Sequence, residues 1–257
     1  MSILKQIIRI AAPLPKIESF QRFLFIGPHP DDIEIGAGAT AAKLASMGKD
    51  LCFFICTDGR YGFDNLEKEI TPDELAAVRK EEALASAKLL GVKDVRFGEL
   101  SDGAFYRKKD LFRIILSAIS DYQPDVVFCP DPAVSSECHS DHLNVGDAAK
   151  RAVCFAPNRE IMKAHGLSDA PVQAIAFYMT AKPNRYIRTD SFLQAQLDSI
   201  FFCHKTQFPA GTAWAKSMSL YLKLRAYDFG LRSFCKTAEG FRVLGQTHMH
   251  ALPEAGD

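Results

Sequence analysis

The sequence predicts an α/β protein with a Rossmann-like, mostly parallel sheet, helices on both faces and a C-terminal helical extension. Three observations predict it. Short apolar runs alternate with helical-period stretches over residues 20–182 or so. The runs are continuously apolar, as strands buried on both faces must be. The segments between them are long enough for the crossover helices that parallel strands require.

Phe23–Gly27 reads as the first strand, followed by a helix from Ile35 to Met47 that is rich in small residues. Leu51–Cys56 is a second strand, ending in Thr57-Asp58-Gly59. Thr71-Pro72-Asp73-Glu74 has the form of a capping box with proline at the first helical position, and Gly91 suits the stop of a helix running to Leu90. Asp94–Leu100 is a third strand. Leu111, Ile114, Ile115, Ala118, Ile119 and Tyr122 follow a 3.6-residue period and predict another helix. Asp125–Cys129 is a fourth strand, Leu143–Cys154 a helix, and Ala174–Met179 a fifth strand. From about Asp190 the pattern predicts helices only. Leu193, Leu197 and Ile200 form one stripe; Trp214, Met218, Tyr221, Leu222 and Arg225 form another. This extension, about 190–245, is expected to cover a site or make subunit contacts. The whole chain, 1–257, reads as one domain.

Composition narrows the function. The chain has 257 residues, 47% of them hydrophobic and 24% charged, which suits a globular protein with an ample core. Basic and acidic residues both number 31, so nothing in the balance suggests a nucleic-acid partner. Zero net charge weakly favours self-association, so a homo-oligomer is kept open. No run approaches a membrane span. The N-terminus is not read as a signal peptide, because Lys5 and Arg9 interrupt its apolar residues. Ile3, Ile7 and Ile10 recur there at helical spacing, as in an amphipathic segment packing on the body or a neighbour. The seven cysteines form no small-domain framework. Cys52, Cys56 and Cys129 lie inside strand-like runs as small hydrophobes, which indicates a reducing, cytoplasmic protein.

Two motifs carry the chemistry. Pro-His-Pro-Asp-Asp occupies 28–32, just after the first strand; Cys-His-Ser-Asp-His occupies 138–142, shortly after the fourth. In a parallel sheet both strand ends lie on one edge, where sites form. His29 and Asp32, three apart on a tight turn, can face one point, and His142 completes two imidazoles and a carboxylate. For zinc that leaves a position for water, as in hydrolytic sites. Asp31 is placed to take the water's proton. His139 can stabilise an oxyanion and protonate a leaving amine. Asp141 could orient an imidazole. Each has a bland alternative: a turn, a helix cap, or a solvated loop. Cys138 reads as a bystander. Gly36-Ala37-Gly38 lacks the third glycine of a dinucleotide fingerprint and reads as close helix–sheet packing. His165, His204, His248 and His250 read as surface, packing or tail residues.

Pro-His-Pro-Asp-Asp-Ile-Glu-Ile-Gly-Ala-Gly, starting at Pro28, resembles the signature of the PIG-L or LmbE-like family of zinc-dependent N-deacetylases. The resemblance continues through Thr57-Asp58-Gly59, Arg79-Lys80-Glu81-Glu82, Ser101-Asp102-Gly103, His139-Ser140-Asp141-His142, Thr206-Gln207 and Ala238-Glu239-Gly240-Phe241. It implies removal of an acetyl group from N-acetylglucosamine units in small glycoconjugates. It also implies His29, Asp32 and His142 as ligands of Zn2+ (or another divalent metal such as Fe2+), Asp31 as general base, and His139 as oxyanion or acid residue. Arg79 and Asp102 match positions near the sugar. Pro28, Ile33 and Ser140 depart from the common pattern; they remove no catalytic group but alter the loops that shape substrate choice.

Two rival functions differ in class. A non-haem iron oxygenase also uses two His and one carboxylate; activity without oxygen separates it from a hydrolase. A non-catalytic sugar-binding protein on the same scaffold would need neither Asp31 nor His139; acetate release separates it.

Overall fold

The computed structural model describes residues 7, 8, 10–62 and 70–252. Five strands run parallel: β1 (Arg22–Gly27), β2 (Asp50–Thr57), β3 (Asp94–Leu100), β4 (Val126–Pro130) and β5 (Ala174–Tyr178). A short β6 (Arg185–Arg188) forms one edge, and β7 (Ala238–Gly245) lies antiparallel between β5 and β6. The strand order is therefore 3-2-1-4-5-7-6. The chain winds outward from β1 to β3, then returns to place β4 on the other side of β1. That reversal opens a crevice between β1 and β4, at the carboxyl ends where ligands bind in such sheets.

The strands are two-sided, as their continuous apolar runs predict. Leu24, Ile26, Cys52, Phe54, Cys56, Val127 and Cys129 face α3 (Lys108–Tyr122) and α4 (Ser140–Phe155). Phe23, Phe25, Phe53, Ile55, Val126 and Phe128 face α1 (Asp32–Ser46) and α2 (Pro72–Leu89). Phe25 and Phe128 stack across the crevice strands at 4.4 Å between centroids. Burial pushes the Cys52 thiol up to about 12, so this cysteine behaves as a hydrophobe. The capping box of α2 forms as predicted: Glu74 N–H donates to Thr71 Oγ1 at 3.3 Å, and Thr71 N–H donates to Glu74 Oε2 at 2.7 Å. Gly91 follows in the left-handed conformation, φ 83°.

The small residues of α1 have a structural reason. A Cβ at Gly36 would lie 2.2 Å from the Tyr178 ring, so only glycine lets the helix approach the sheet. The helix kinks at Ala37 (φ −150°, ψ 16°), which frees backbone N–H groups beyond the kink. Ala39 and Thr40 donate theirs to the buried carboxylate of Glu239.

Glu239 belongs to β7, and here the expectation of helices only after Asp190 is corrected. The helices are present: α5 (Arg159–Ala164) precedes β5, and α6 (Leu193–Asp198), a π-turn (199–203) and α7 (Ala213–Arg232) follow β6. But the chain then re-enters the sheet, and α8 (Gln246–Ala251) follows β7. All eight residues of β7 are buried, including Glu239 and Arg242. Arg242 makes a fork with Asp131 (2.8 and 2.5 Å) and stacks on Phe177, while Thr180 Oγ1 donates to the same carboxylate at 2.6 Å. This pair pins the start of the loop that leads from β4 to His139. At the N-terminus, Ile3 lies outside the described residues, and Ile7 and Ile10 are exposed rather than packed on the body.

Arg242→Ala should destabilise the fold by about 3–5 kcal/mol, because it strands a buried carboxylate. Burial would raise the Asp131 carboxyl, but Arg242 and Thr180 hold it below the usual range. Its stabilisation is thus present above the unfolded value of about 3.9 and lost as pH falls through the folded one. Denaturant titration should show the difference between wild type and variant at neutral pH, and a smaller one in acid.

Candidate active site

The β1–α1 turn is the centre of the site. His29 N–H donates to Asp32 Oδ2 at 2.9 Å, closing a tight loop that brings ring and carboxylate together. His29 Nδ1 lies 3.0 Å from the same oxygen. On the other side, His142 Nε2, from the first turn of α4, lies 3.4 Å from Asp32 Oδ1. The spacing of the two motifs therefore does bring His29, Asp32 and His142 to one point. Burial alone would depress His142, but the Asp32 carboxylate raises it to about 9. Burial would likewise raise Asp32; the two imidazoles outweigh it and hold the carboxyl well below its usual range.

The outer nitrogens of both rings are anchored. His29 Nε2 faces Asp102 Oδ1 at 3.1 Å and Asp141 Oδ2 at 3.2 Å. Asp141 is fully buried and accepts from Gly103 N–H, Ala104 N–H and the Tyr106 hydroxyl. Asp102 accepts from Tyr61 N–H and Gly103 N–H. His29, Asp102, His139 and Asp141 also lie close enough to form a metal-like group. Their carboxylates, however, are already occupied by protein donors, so they act as a fixed cradle for His29. His142 Nδ1 faces Glu137 Oε2 at 2.9 Å, and Glu137 Oε1 accepts from His139 N–H at 2.7 Å.

Asp31 sits beside this cluster in an unusual backbone state, φ 131°, which no non-glycine residue adopts without strain. Burial raises its carboxyl, Arg79 opposes that, and the balance stands at about 6. His139 caps α4: Asp141 N–H donates to its Nδ1 at 3.3 Å, which assigns the ring proton to Nε2. Its ring stands edge-on to His29 (4.7 Å) and stacks on His142 (4.9 Å), with the side chain 48% exposed. Burial and the neighbouring imidazoles depress it.

Arg79 and Asp102, expected near the sugar, both line the cavity over the cluster and also bond to the protein around them. Arg79 is 3% exposed. It donates to Gly59 O (2.9 Å), Pro30 O (2.8 Å) and Asp31 Oδ2 (3.2 Å). It grips the Asp31 turn from behind, and does not pair with Glu82, which accepts from Thr206. Asp102 is spent on His29. Both border the cavity; the two terminal nitrogens of Arg79 and both oxygens of Asp102 meet protein groups, while Arg79 Nε has no hydrogen-bond partner.

That cavity, ≈ 570 Å³, opens over His29, Asp32 and His142 and is walled by Tyr61, Phe208 and Trp214. Phe208 and Trp214 stack at 6.1 Å. Trp214 and Met218 come from α7, as expected of a helical cover. The wall is held by a buried chain that sequence reasoning passed over: fully buried His204 lies 3.2 Å from Glu34, which also accepts from Ser86. A larger cavity, ≈ 710 Å³, lies between α4 and the C-terminal helix, beside Arg151 and His248. It holds none of the clustered groups, so the smaller one is the site. Glu137 and Tyr106 were also passed over; the need of a metal-type histidine for a carboxylate on its other nitrogen was the available signal.

Two imidazoles and a carboxylate at one point, with a second buried carboxylate and a half-exposed imidazole alongside, suit the activation of water for attack on an acyl group. Fold and site together define a metal-assisted hydrolase. Residues 24–153 match the family model described as "PIG-L: GlcNAc-PI de-N-acetylase". A diacetylchitobiose deacetylase of Thermococcus kodakarensis is 34% identical over 239 residues, 91% of this chain and 87% of that one. A 1D-myo-inositol 2-acetamido-2-deoxy-alpha-D-glucopyranoside deacetylase of Kineococcus radiotolerans is 28% identical over 69% of this chain and 56% of its own. Among solved structures, the N,N'-diacetylchitobiose deacetylase of Pyrococcus horikoshii superposes with a TM-score of 0.82 at 29% identity, covering 98% of this chain and 97% of that one. The chain belongs to the PIG-L family and is an N-deacetylase; the family and the His/Asp cluster together indicate a divalent metal.

Since Arg79 holds Asp31, Arg79→Ala should lower kcat by ~10² on a glycoconjugate and on a minimal acetamide alike. Parallel kinetics on the two substrates check this; a loss confined to the glycoconjugate would restore the sugar role.

Proposed function

We propose that this protein is a cytoplasmic, zinc-dependent N-deacetylase that hydrolyses the acetamide of an N-acetylated aminosugar or its conjugate, releasing acetate and a free amine. The observation that carries this reading is the Asp32 carboxylate set between His29 Nδ1 (3.0 Å) and His142 Nε2 (3.4 Å), with buried Asp31 next to it. Those three donors would hold the metal, a set that suits zinc and leaves room for water. When bound, zinc supplies a Lewis acid at the amide oxygen and lowers the pKa of water towards ~7.

The remaining work falls to the chain. Asp31, held near 6, is basic enough to take the proton of the attacking water and acidic enough to pass it to the leaving amine. Arg79 fixes its position. His139 offers its Nε2–H to the oxygen that becomes negative. Glu137 holds His142, and Asp102 with Asp141 holds His29, so the imidazoles do not reorganise during the reaction. The aromatic wall of Tyr61, Phe208 and Trp214 suits the apolar faces of a sugar ring. The named substrates of the relatives, diacetylchitobiose and an acetamido-glucosyl inositol, favour the same class.

The oxygenase reading is not favoured, because the relatives are hydrolases. Mere sugar binding would leave the strained, buried Asp31 without purpose. The seven cysteines are free, which supports a reducing compartment. Among the described residues, no helix is long and apolar enough to cross a membrane.

Acetate release from N-acetylated aminosugars, with and without chelator, tests the reaction; full turnover in metal-free protein would refute it. Asp31→Asn should keep the metal and lower kcat by ~10²–10⁴. His139→Ala should keep the metal and lose about 2–4 kcal/mol of transition-state stabilisation. Glu137→Gln should bind metal ~10–100-fold more weakly, as read by chelator competition.

A further inference from the structure

Helix α7 carries two apolar seams on opposite sides. Ala215, Leu222, Ala226 and Phe229 are buried against the body. Leu220, Leu224, Tyr227 and Leu231 point the other way and are 58%, 59%, 44% and 79% exposed. At 100° per residue this outer seam lies opposite the inner one, on the face that a surface helix gives to polar residues.

We propose that the outer seam of α7 packs antiparallel against the same seam of a second copy of this chain. The spacing favours this occupant. Steps of four, three and four residues are those of the a and d positions of a coiled coil. The seam is also self-complementary. Leu220 stands as far before the midpoint of Arg225 and Ala226 as Leu231 stands after it, and Leu224 and Tyr227 are related in the same way. A two-fold axis crossing the helix there sets Leu220 on Leu231 and Leu224 on Tyr227 in both directions, as an isologous interface requires. Tyr221, 51% exposed, flanks the seam and widens the exposed apolar face, so it is the self-complementary order of the seam that singles out a second copy.

Phe234, 94% exposed just beyond α7, lengthens the patch. Five side chains of ~200 Å² each, about two thirds exposed on average, from two copies amount to on the order of 1,000 Å², the lower bound for a specific interface. The pairing has a consequence for the site. The same axis brings Arg232 of one copy level with Ser219 of the other, on the helix that carries Trp214 and Met218 into the cavity wall. The second copy then braces the helix that covers the site.

Sedimentation velocity of the full, zinc-loaded chain at micromolar concentration tests the pairing. Wild type is expected to be dimeric or a multiple of dimers. Leu224→Glu and Leu231→Glu should each raise the dissociation constant at least ~100-fold, because each buries unpaired charge in the pair. Leu231 is mostly exposed in the single chain, so its variant should fold, which far-UV circular dichroism checks. Leu84→Glu, at an exposed position on α2, should leave the assembly intact. A monomeric wild type would overturn the proposal, and its co-sedimentation with phosphatidylserine vesicles would assign the face to a membrane surface. An assembly unchanged in both α7 variants would overturn it as well.

Discussion

The Asp32 carboxylate faces two imidazoles at once, and most of the molecule is arranged so that it can. One oxygen meets His29, three residues earlier on the same turn; the other meets His142, from a strand–helix unit more than a hundred residues on. Only a sheet in which β1 and β4 are neighbours brings these together, and the order 3-2-1-4 does so. The phenylalanines of β1 and β4 hold the two strands in register beneath the site. The Arg242–Asp131 fork then fixes the loop leaving β4. A carboxylate and two imidazoles without partners would be costly to bury; here each outer nitrogen and each backbone donor has been given one.

The neighbouring charges divide into two sets. Asp102, Asp141 and Glu137 face the outer nitrogens of His29 and His142, so the rings are held from behind. Arg79 and His204 lie on the Asp31 side, where cations oppose the effect of burial on that carboxyl. Two adjacent aspartates thus acquire different characters. Asp32 stays ionised between two imidazoles, while Asp31 is tuned to exchange a proton near neutrality. Environment separates two chemically identical side chains in the direction that the proposed ligand and base roles require.

Much of this was legible in the chain. The parallel strands announce themselves as unbroken apolar runs, and the capping box at Thr71 is local chemistry that the structure reproduces. His29, Asp31, Asp32 and His142 were readable as candidates because one motif follows directly on such a run and the other comes shortly after one. β7 was not, because its buried Glu239 and Arg242 look like solvent-facing charges. Their partners, the N–H groups of a kinked α1 and the carboxylate of Asp131, lie over a hundred residues away. For the same reason the protein partners of Arg79 and Asp102 were not readable: a motif shows that a charge matters, but not that Arg79 meets Asp31 or that Asp102 meets His29. Glu137 went unseen because an acidic residue in a loop is ordinarily solvated.

The central claim is that His29, Asp32 and His142, and no cysteine, form the metal site. X-ray absorption spectroscopy at the zinc edge of the loaded protein measures this most directly. The account predicts two imidazole nitrogens at ~2.0–2.1 Å with only oxygen donors completing the shell, and one imidazole fewer in His142→Ala. A sulfur donor at ~2.3 Å, or a shell unchanged in His142→Ala, would contradict it.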